Sequence, residues 1–171
     1  VLDGAKALAI PTKYGQSLTV EQNTTHSIIW KSYNELDRIW FEDEFLINDA
    51  CARLNLKATN YTDVSKRLIQ ILKTTYGLNP KFLNSKQGYT ITTHQDFNRL
   101  WGLGTSSTLV NNIADWANID AYELLEKTFG GSGYDIACAQ QNTPITYQLN
   151  HRQKPSVEAV EFNPSFKDQL Y

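Results

Sequence analysis

Two glycine clusters do most to limit what this chain can fold into. Gly102-Leu103-Gly104 runs into the hydroxyl-rich Thr105-Ser106-Ser107-Thr108 at the head of an apolar-periodic segment. Gly130-Gly131-Ser132-Gly133 separates two further helical patterns. Glycine reaches left-handed backbone without a steric penalty but costs ordering entropy, so three in four positions mark a demanding turn. The punctuation predicts a helix over 107–118 burying Leu109, Ile113 and Trp116, another over 121–129, and a short one over 135–140.

The rest of the chain supplies strands and one more helix. Residues 27–33 and 38–41 are rich in Ile, Trp, Tyr and Phe and flank Asn34-Glu35-Leu36-Asp37, which reads as strand, turn, strand. With the β-favouring stretches 5–11 and 15–21, the chain is expected to begin as an antiparallel meander. Val64, Leu68, Ile71, Leu72 and Tyr76 share one face of a helix over 63–76, with Asn60 or Thr62 to cap it and Gly77 and Pro80 to close it. Residues 89–94 alternate as a strand, and 145–149, 157–162 and the C-terminal residues return to strand. Residues 47–56 stay open, a helical turn or two being one reading. Strands, helix, strand, helices, strands in that order indicate an α+β fold.

Composition excludes several classes. The 171 residues carry a net charge of -2 with no basic stripe, which argues against nucleic acid as a partner. The longest apolar runs are only a few residues, so neither a membrane span nor a signal-peptide core is expected, and a cytoplasmic setting is. Cys51 and Cys138 are too few for a disulfide framework or zinc site and read as buried thiols. The sequons at Asn23 and Asn60 lack a secretion signal to go with them. The chain has no methionine and opens on Val1, so it is expected to be a fragment.

The glycine clusters also carry the candidate chemistry. A glycine-rich loop at a helix start lets backbone N–H groups converge on a polyphosphate, and the helix dipole favours its charge. The run lacks the lysine of a Walker loop and the third glycine of a dinucleotide fingerprint. It equally suits a plain strand-to-helix turn with serine N-caps. Asp135, behind its glycine turn, suits a group that orients or deprotonates a hydroxyl; as a helix-start aspartate it also suits a cap. His26, His94 and His151 are too scattered to be catalytic. Ser106 and Ser107 lack a nucleophile elbow. Trp30, Trp40, Trp101 and Trp116 read as core or pocket wall, and Glu42-Asp43-Glu44 as a solvated strand end.

Three blocks resemble the GHMP kinases, the superfamily of galactokinase, homoserine kinase, mevalonate kinase and phosphomevalonate kinase. Trp101 to Ser107 looks like its phosphate loop. Gly131-Ser132-Gly133-Tyr134-Asp135-Ile136-Ala137 is similar to the segment carrying its catalytic aspartate, with the mevalonate and phosphomevalonate branch closest and a Gly-Tyr-Asp-Ile-Ala subgroup also similar. Val1 to Ala9 resembles the stretch after its first motif.

The resemblance implies a fold like ribosomal protein S5 domain 2 over residues 1–155. Residues 156–171 would begin the junction to a ferredoxin-like domain lying mostly beyond Tyr171. It implies ATP and Mg²⁺ as cofactors, with the triphosphate held by Gly102, Leu103, Gly104, Thr105, Ser106, Ser107 and Thr108. The metal would fall to Ser106 or Ser107, assisted by Glu126 in preference to Glu123, and Asp135 would act on the acceptor hydroxyl. The expected partner is a small-molecule substrate, mevalonate or phosphomevalonate first, with a homodimer an option. The family's first-motif lysine would precede Val1, Lys6 and Lys13 fall after that motif, and the third motif would lie beyond the chain, so the fragment alone is expected to be inactive. A nucleotide-binding sensor and an ATP-dependent decarboxylase of the same fold are the alternatives.

Overall fold

The computed structural model describes residue 1 and residues 3–48, 54–83, 87–150 and 155–166. Eight strands and four α-helices alternate irregularly among them: β1 (Ala7–Ala9), β2 (Gln16–Asn23), β3 (Ser27–Tyr33), β4 (Ile39–Asn48), β5 (Asn55–Ala58), α1 (Asp63–Leu78), β6 (Gly88–Gln95), α2 (Thr105–Ala117), α3 (Ala121–Thr128), α4 (Tyr134–Ala139), β7 (Ile145–Leu149) and β8 (Pro155–Ala159). A turn of 3-10 helix at Arg99–Trp101 precedes the glycine loop. The α+β expectation holds.

The large sheet has the order β2-β6-β3-β4-β5, and a small one has the order β1-β7-β8. β3, β4 and β5 form an antiparallel meander. The expected meander through the first strands is broken, however. β6 inserts between β2 and β3, antiparallel to the first and parallel to the second, while β1 leaves to pair with β7 in the other sheet. Local alternation specifies a strand and its faces but not its neighbour, which long-range packing decides.

Period-2 patterning aims one face of the large sheet at the helices. Ile28, Trp30 and Ser32 of β3 point inward, as do Phe41, Asp43, Phe45 and Ile47 of β4 and Tyr89, Ile91 and Thr93 of β6. They meet Leu68, Ile71 and Leu72 of α1, Val110, Ile113 and Ala114 of α2, and Leu124 and Leu125 of α3 in one core. Each large side chain so buried contributes about 1.5–3 kcal/mol. The buried face of α2 is Val110, Ile113, Ala114 and Ala117, with Leu109 and Trp116 packed at its border. Trp116 meets the rings of Phe82 and Tyr89 edge-on, at 4.5 and 5.8 Å between centroids.

Several local expectations change. Residues 47–48 end β4 and 55–56 belong to β5, so the flanks of the open segment are strand; its middle lies outside the described residues. The helix over 63–76 extends past Gly77 to Leu78 and is capped by Thr62, whose Oγ1 accepts from Ser65 N. Asp43 is not part of a solvated strand end: it is 5% exposed. Its Oδ1 accepts from Glu44 N, Thr59 N, Thr59 Oγ1 and Asn60 N, and Ser65 Oγ donates to its Oδ2. One carboxylate thus ties β4, the turn after β5 and the start of α1. Strand alternation put Asp43 on the inward face, the one signal that could have revealed it.

Candidate active site

The two glycine clusters meet in space. α2 starts on Gly104 (φ +74°) and α4 on Gly133 (φ +75°), both left-handed, and neither helix has a side-chain cap. α1 and α3, by contrast, are capped by Thr62 and by Asp120, whose carboxylate accepts from Tyr122 N and Glu123 N. Serines in the loop do not cap α2, which removes the plain capped-turn reading. The first-turn N–H groups of Thr105, Ser106 and Ser107 lack intrahelical acceptors, as at every helix start. Here no side chain caps them.

Asp135 sits in the first turn of α4 and abuts the glycine loop. A β-carbon built on Gly104 would lie 3.4 Å from both Cβ and Cγ of Asp135. Gly102, Leu103, Gly104, Thr108 and Asp135 line one cavity of about 340 Å³, joined by residues from the β1–β2 connection, the middle of α2 and the end of α4. Asp135 is exposed to it, and it is the only charged residue among the described lining residues.

α4 is held in place from below. Tyr134 OH donates to Leu8 O of β1 at 2.7 Å, and its ring meets Tyr147 edge-on at 5.7 Å. Tyr147 OH donates to Ser132 O within the glycine turn. Gly133 fits because it has no side chain: a β-carbon there would stand 2.7 Å from the Tyr122 ring. Burial pushes the phenol pKa of Tyr122 up to about 12, and raises those of Tyr134 and Tyr147, so all three are neutral phenols.

The remaining site residues divide. Thr105 accepts from Gln95 Nε2 at 3.1 Å, and Thr108 Oγ1 donates to Gln16 Oε1 at 2.9 Å. Ser106 is exposed on the first turn of α2, while Ser107 is 9% exposed and turned toward the core. Glu126 lies elsewhere, lining a second hollow with Glu123 and Gly131 to Gly133. Among the described residues no three His, Cys, Asp or Glu side chains cluster. Trp101 is no core residue; it is 60% exposed and stands edge-on to Tyr14, 5.7 Å between centroids, at the loop. His94 pairs with Asp37 at 2.7 Å on a turn outside the cavity lining. His151 and Cys51 fall outside the described residues.

Cys138 overturns the expectation of a buried thiol. It is half-buried and lines the cavity one helical turn after Asp135. Burial, and then the Asp135 charge, hold its pKa above the usual 9.0. Sequence spacing contained the signal: positions 135 and 138 share a helix face.

No protein-family model matches the chain, and no curated protein sequence matches it. Solved structures do. It resembles a D-glycero-D-manno-heptose 1-phosphate kinase from Bacteroides thetaiotaomicron, at 17% identity and a TM-score of 0.62, over 99% of this chain and 55% of that one. It resembles the Methanococcus jannaschii mevalonate kinase at 15% identity and a TM-score of 0.59, over 98% and 52%. A protein from Campylobacter jejuni provisionally classed as a sugar kinase is similar at 20% identity and 0.59, over 96% and 50%. The chain therefore shares the fold of these three proteins, and it spans about half the length of each of them. Among the described residues no helix is long and apolar enough to cross a membrane.

Proposed function

We propose that this chain carries the phosphate-holding and acceptor-orienting half of an ATP- and Mg²⁺-dependent small-molecule kinase. The observation that carries the reading is the close approach of Asp135 to Gly104, where an added β-carbon would lie 3.4 Å from it, at the start of the uncapped α2 helix. It puts a carboxylate beside the place where a phosphate would rest.

The residues present suit such a ligand. Gly102 and Gly104 leave two positions of the loop without side chains, and the first turn of α2 offers N–H donors and a favourable dipole. Mg²⁺ usually takes one or two carboxylates together with phosphate oxygens and waters, and Asp135 and the exposed Ser106 are available to it. Glu126, in the other hollow, plays no part in this assignment. When bound, MgATP supplies the transferable phosphoryl group. Asp135 then holds the acceptor hydroxyl and takes its proton, the N–H groups stabilise charge on the phosphates, and the Tyr134 and Tyr147 bonds keep α4 in position.

The acceptor is a small hydroxyl-bearing metabolite. Mevalonate or phosphomevalonate is favoured by the wording of the sequence blocks and by one similar structure; sugars are favoured by the names of the other two. The test is to incubate the intact protein with ATP and Mg²⁺ against an acceptor panel, following ADP and product mass. Asp135→Asn should cut kcat by about 10²–10⁴-fold with ATP affinity nearly unchanged. Unchanged turnover would remove Asp135 from the mechanism. A second reading, nucleotide binding without transfer, is favoured by Asp135 being the one carboxylate among the described residues that line the cavity; ATP binding with no turnover of any acceptor would select it.

A further inference from the structure

Helix α2 begins without a cap, yet its start is tethered by a different kind of bond. Gln95, the last residue of β6, is 1% exposed, and its Nε2 donates to Thr105 Oγ1 at 3.1 Å. Among the described residues it is the one hydrogen-bond partner of the side chains of Thr105, Ser106 and Ser107. Gln95 is itself firmly placed. It stands opposite Gln16 in the β2–β6 register. The next residue, Asp96, bonds Gly15 twice: its Oδ1 accepts from Gly15 N at 2.6 Å, and its N–H donates to Gly15 O at 3.2 Å.

The atom that Gln95 holds decides what stays available. An N-cap side chain fixes a helix start by accepting from a first-turn N–H, as Thr62 accepts from Ser65 N in α1. Such a bond occupies a donor. Gln95 instead holds the hydroxyl of the first helical residue and engages no backbone group. The first intrahelical bond of α2 runs from Thr108 N to Gly104 O at 3.0 Å, so the N–H groups of Thr105, Ser106 and Ser107 precede it. Gly102 and Gly104, both left-handed, give the preceding loop a freedom that must be removed before those groups point one way. We infer that Gln95 is a positioning residue for the nucleotide: through Thr105 it fixes the start of α2 while leaving the first-turn N–H groups for phosphate. The inference rests on the kinase reading above. Gln95 does not line the cavity, so its effect is preorganisation: a loop already held in its binding geometry loses less entropy when the ligand arrives.

The experiment measures MgATP binding to the intact protein by calorimetry, in a Cys51→Ser background. Gln95→Leu removes the donor and keeps an apolar side chain in the core; it should weaken MgATP about tenfold, the scale of one lost hydrogen bond. Thr105→Val should weaken it too, and Thr105→Ser, which keeps the oxygen, should stay near wild type. Combined with Thr105→Val, Gln95→Leu should cost no further affinity. Two readouts separate positioning from general loosening. The melting temperature of the ligand-free protein should change little, because the half-buried Thr105 hydroxyl can turn to water. Alkylation of Cys138, which lines the cavity from α4, should keep its wild-type rate without nucleotide. Gln95→Met, unbranched and of similar length, repeats the measurement if Gln95→Leu does not fold. Unchanged affinity in the Gln95 variants overturns the inference and leaves the kinase reading standing. So does a loss that is equally large with and without Thr105→Val, or one accompanied by faster Cys138 alkylation. No MgATP binding by the wild type removes both proposals together.

Discussion

Gly104 and Asp135 lie thirty-one positions apart in sequence but side by side in space: a β-carbon added to the glycine would stand 3.4 Å from two carbons of the aspartate side chain. Packing the loop against α4 this closely gives the phosphate cradle and the acceptor carboxylate a fixed separation.

Gly104→Ala tests that relationship. The added carbon meets Asp135 at ordinary contact distance, so the main cost is left-handed backbone at φ +74°, about 1–2 kcal/mol. Denaturant unfolding should show that loss. Nucleotide affinity should fall further than stability does, because the strained loop relaxes by moving its N–H groups. An unchanged affinity would mean that the loop does not hold the phosphates.

Gly133→Ala and Gly130→Ala form a controlled pair. Both glycines are left-handed, at φ +75° and +68°, but only the first has a neighbour in the way, the Tyr122 ring at 2.7 Å. Backbone strain should cost each variant a similar amount, and overpacking should add about 1–3 kcal/mol at position 133 alone. Equal losses in thermal or denaturant unfolding would contradict the packing of Tyr122 on the turn.

Asp43→Ala should cost about 1–3 kcal/mol, because it leaves the buried Ser65 hydroxyl, and the part-buried donors of Thr59 and Asn60, without their acceptor. Burial works to raise the Asp43 pKa, but hydrogen bonds from Ser65, Thr59, Asn60 and Glu44 outweigh it and the pKa lies below the ordinary 3.8. A depressed folded-state pKa means that the unfolded chain binds the proton first. The carboxylate's contribution is therefore fully present above pH 4 and lost as pH falls through the folded value. Stability of the wild type should drop more steeply than that of Asp43→Asn between pH 4 and 2. Parallel curves would contradict the assignment.

Cys138 offers a probe of the cavity. Its thiol pKa is raised above 9.0 by burial and by Asp135, and the thiolate is the reactive form. In a Cys51→Ser background, alkylation should be slow at pH 7 and accelerate about tenfold per pH unit to beyond pH 9. ATP should protect the site, with mass spectrometry as the readout. A rate that levels off by pH 8, or one indifferent to ATP, would place the thiol elsewhere.

Much of the architecture was legible along the chain. Helix α1 announces its apolar face through Leu68, Ile71 and Leu72, and the glycines at 104 and 133 mark the starts of α2 and α4 to within a few residues. These are local signals: periodicity, left-handed positions and caps act within one or two turns of backbone. The same locality explains Asp43 and Cys138. Each carried the right spacing for its inward or cavity face, but an acidic run reads as solvated and a lone thiol as core until partners appear.

By itself, then, the sequence determined the element types, the faces they bury, and the two turns that hold the candidate chemistry. Tertiary structure alone decided that β6 would enter between β2 and β3, that β1 would cross to β7, that Glu126 would face a separate hollow, and that Gln16 of β2 would be bonded to Asn112 of α2. The reason is physical. Backbone preferences and hydrophobic period are properties of neighbouring residues, whereas strand order and the meeting of distant side chains are settled by burying one shared core and satisfying every buried polar group at once.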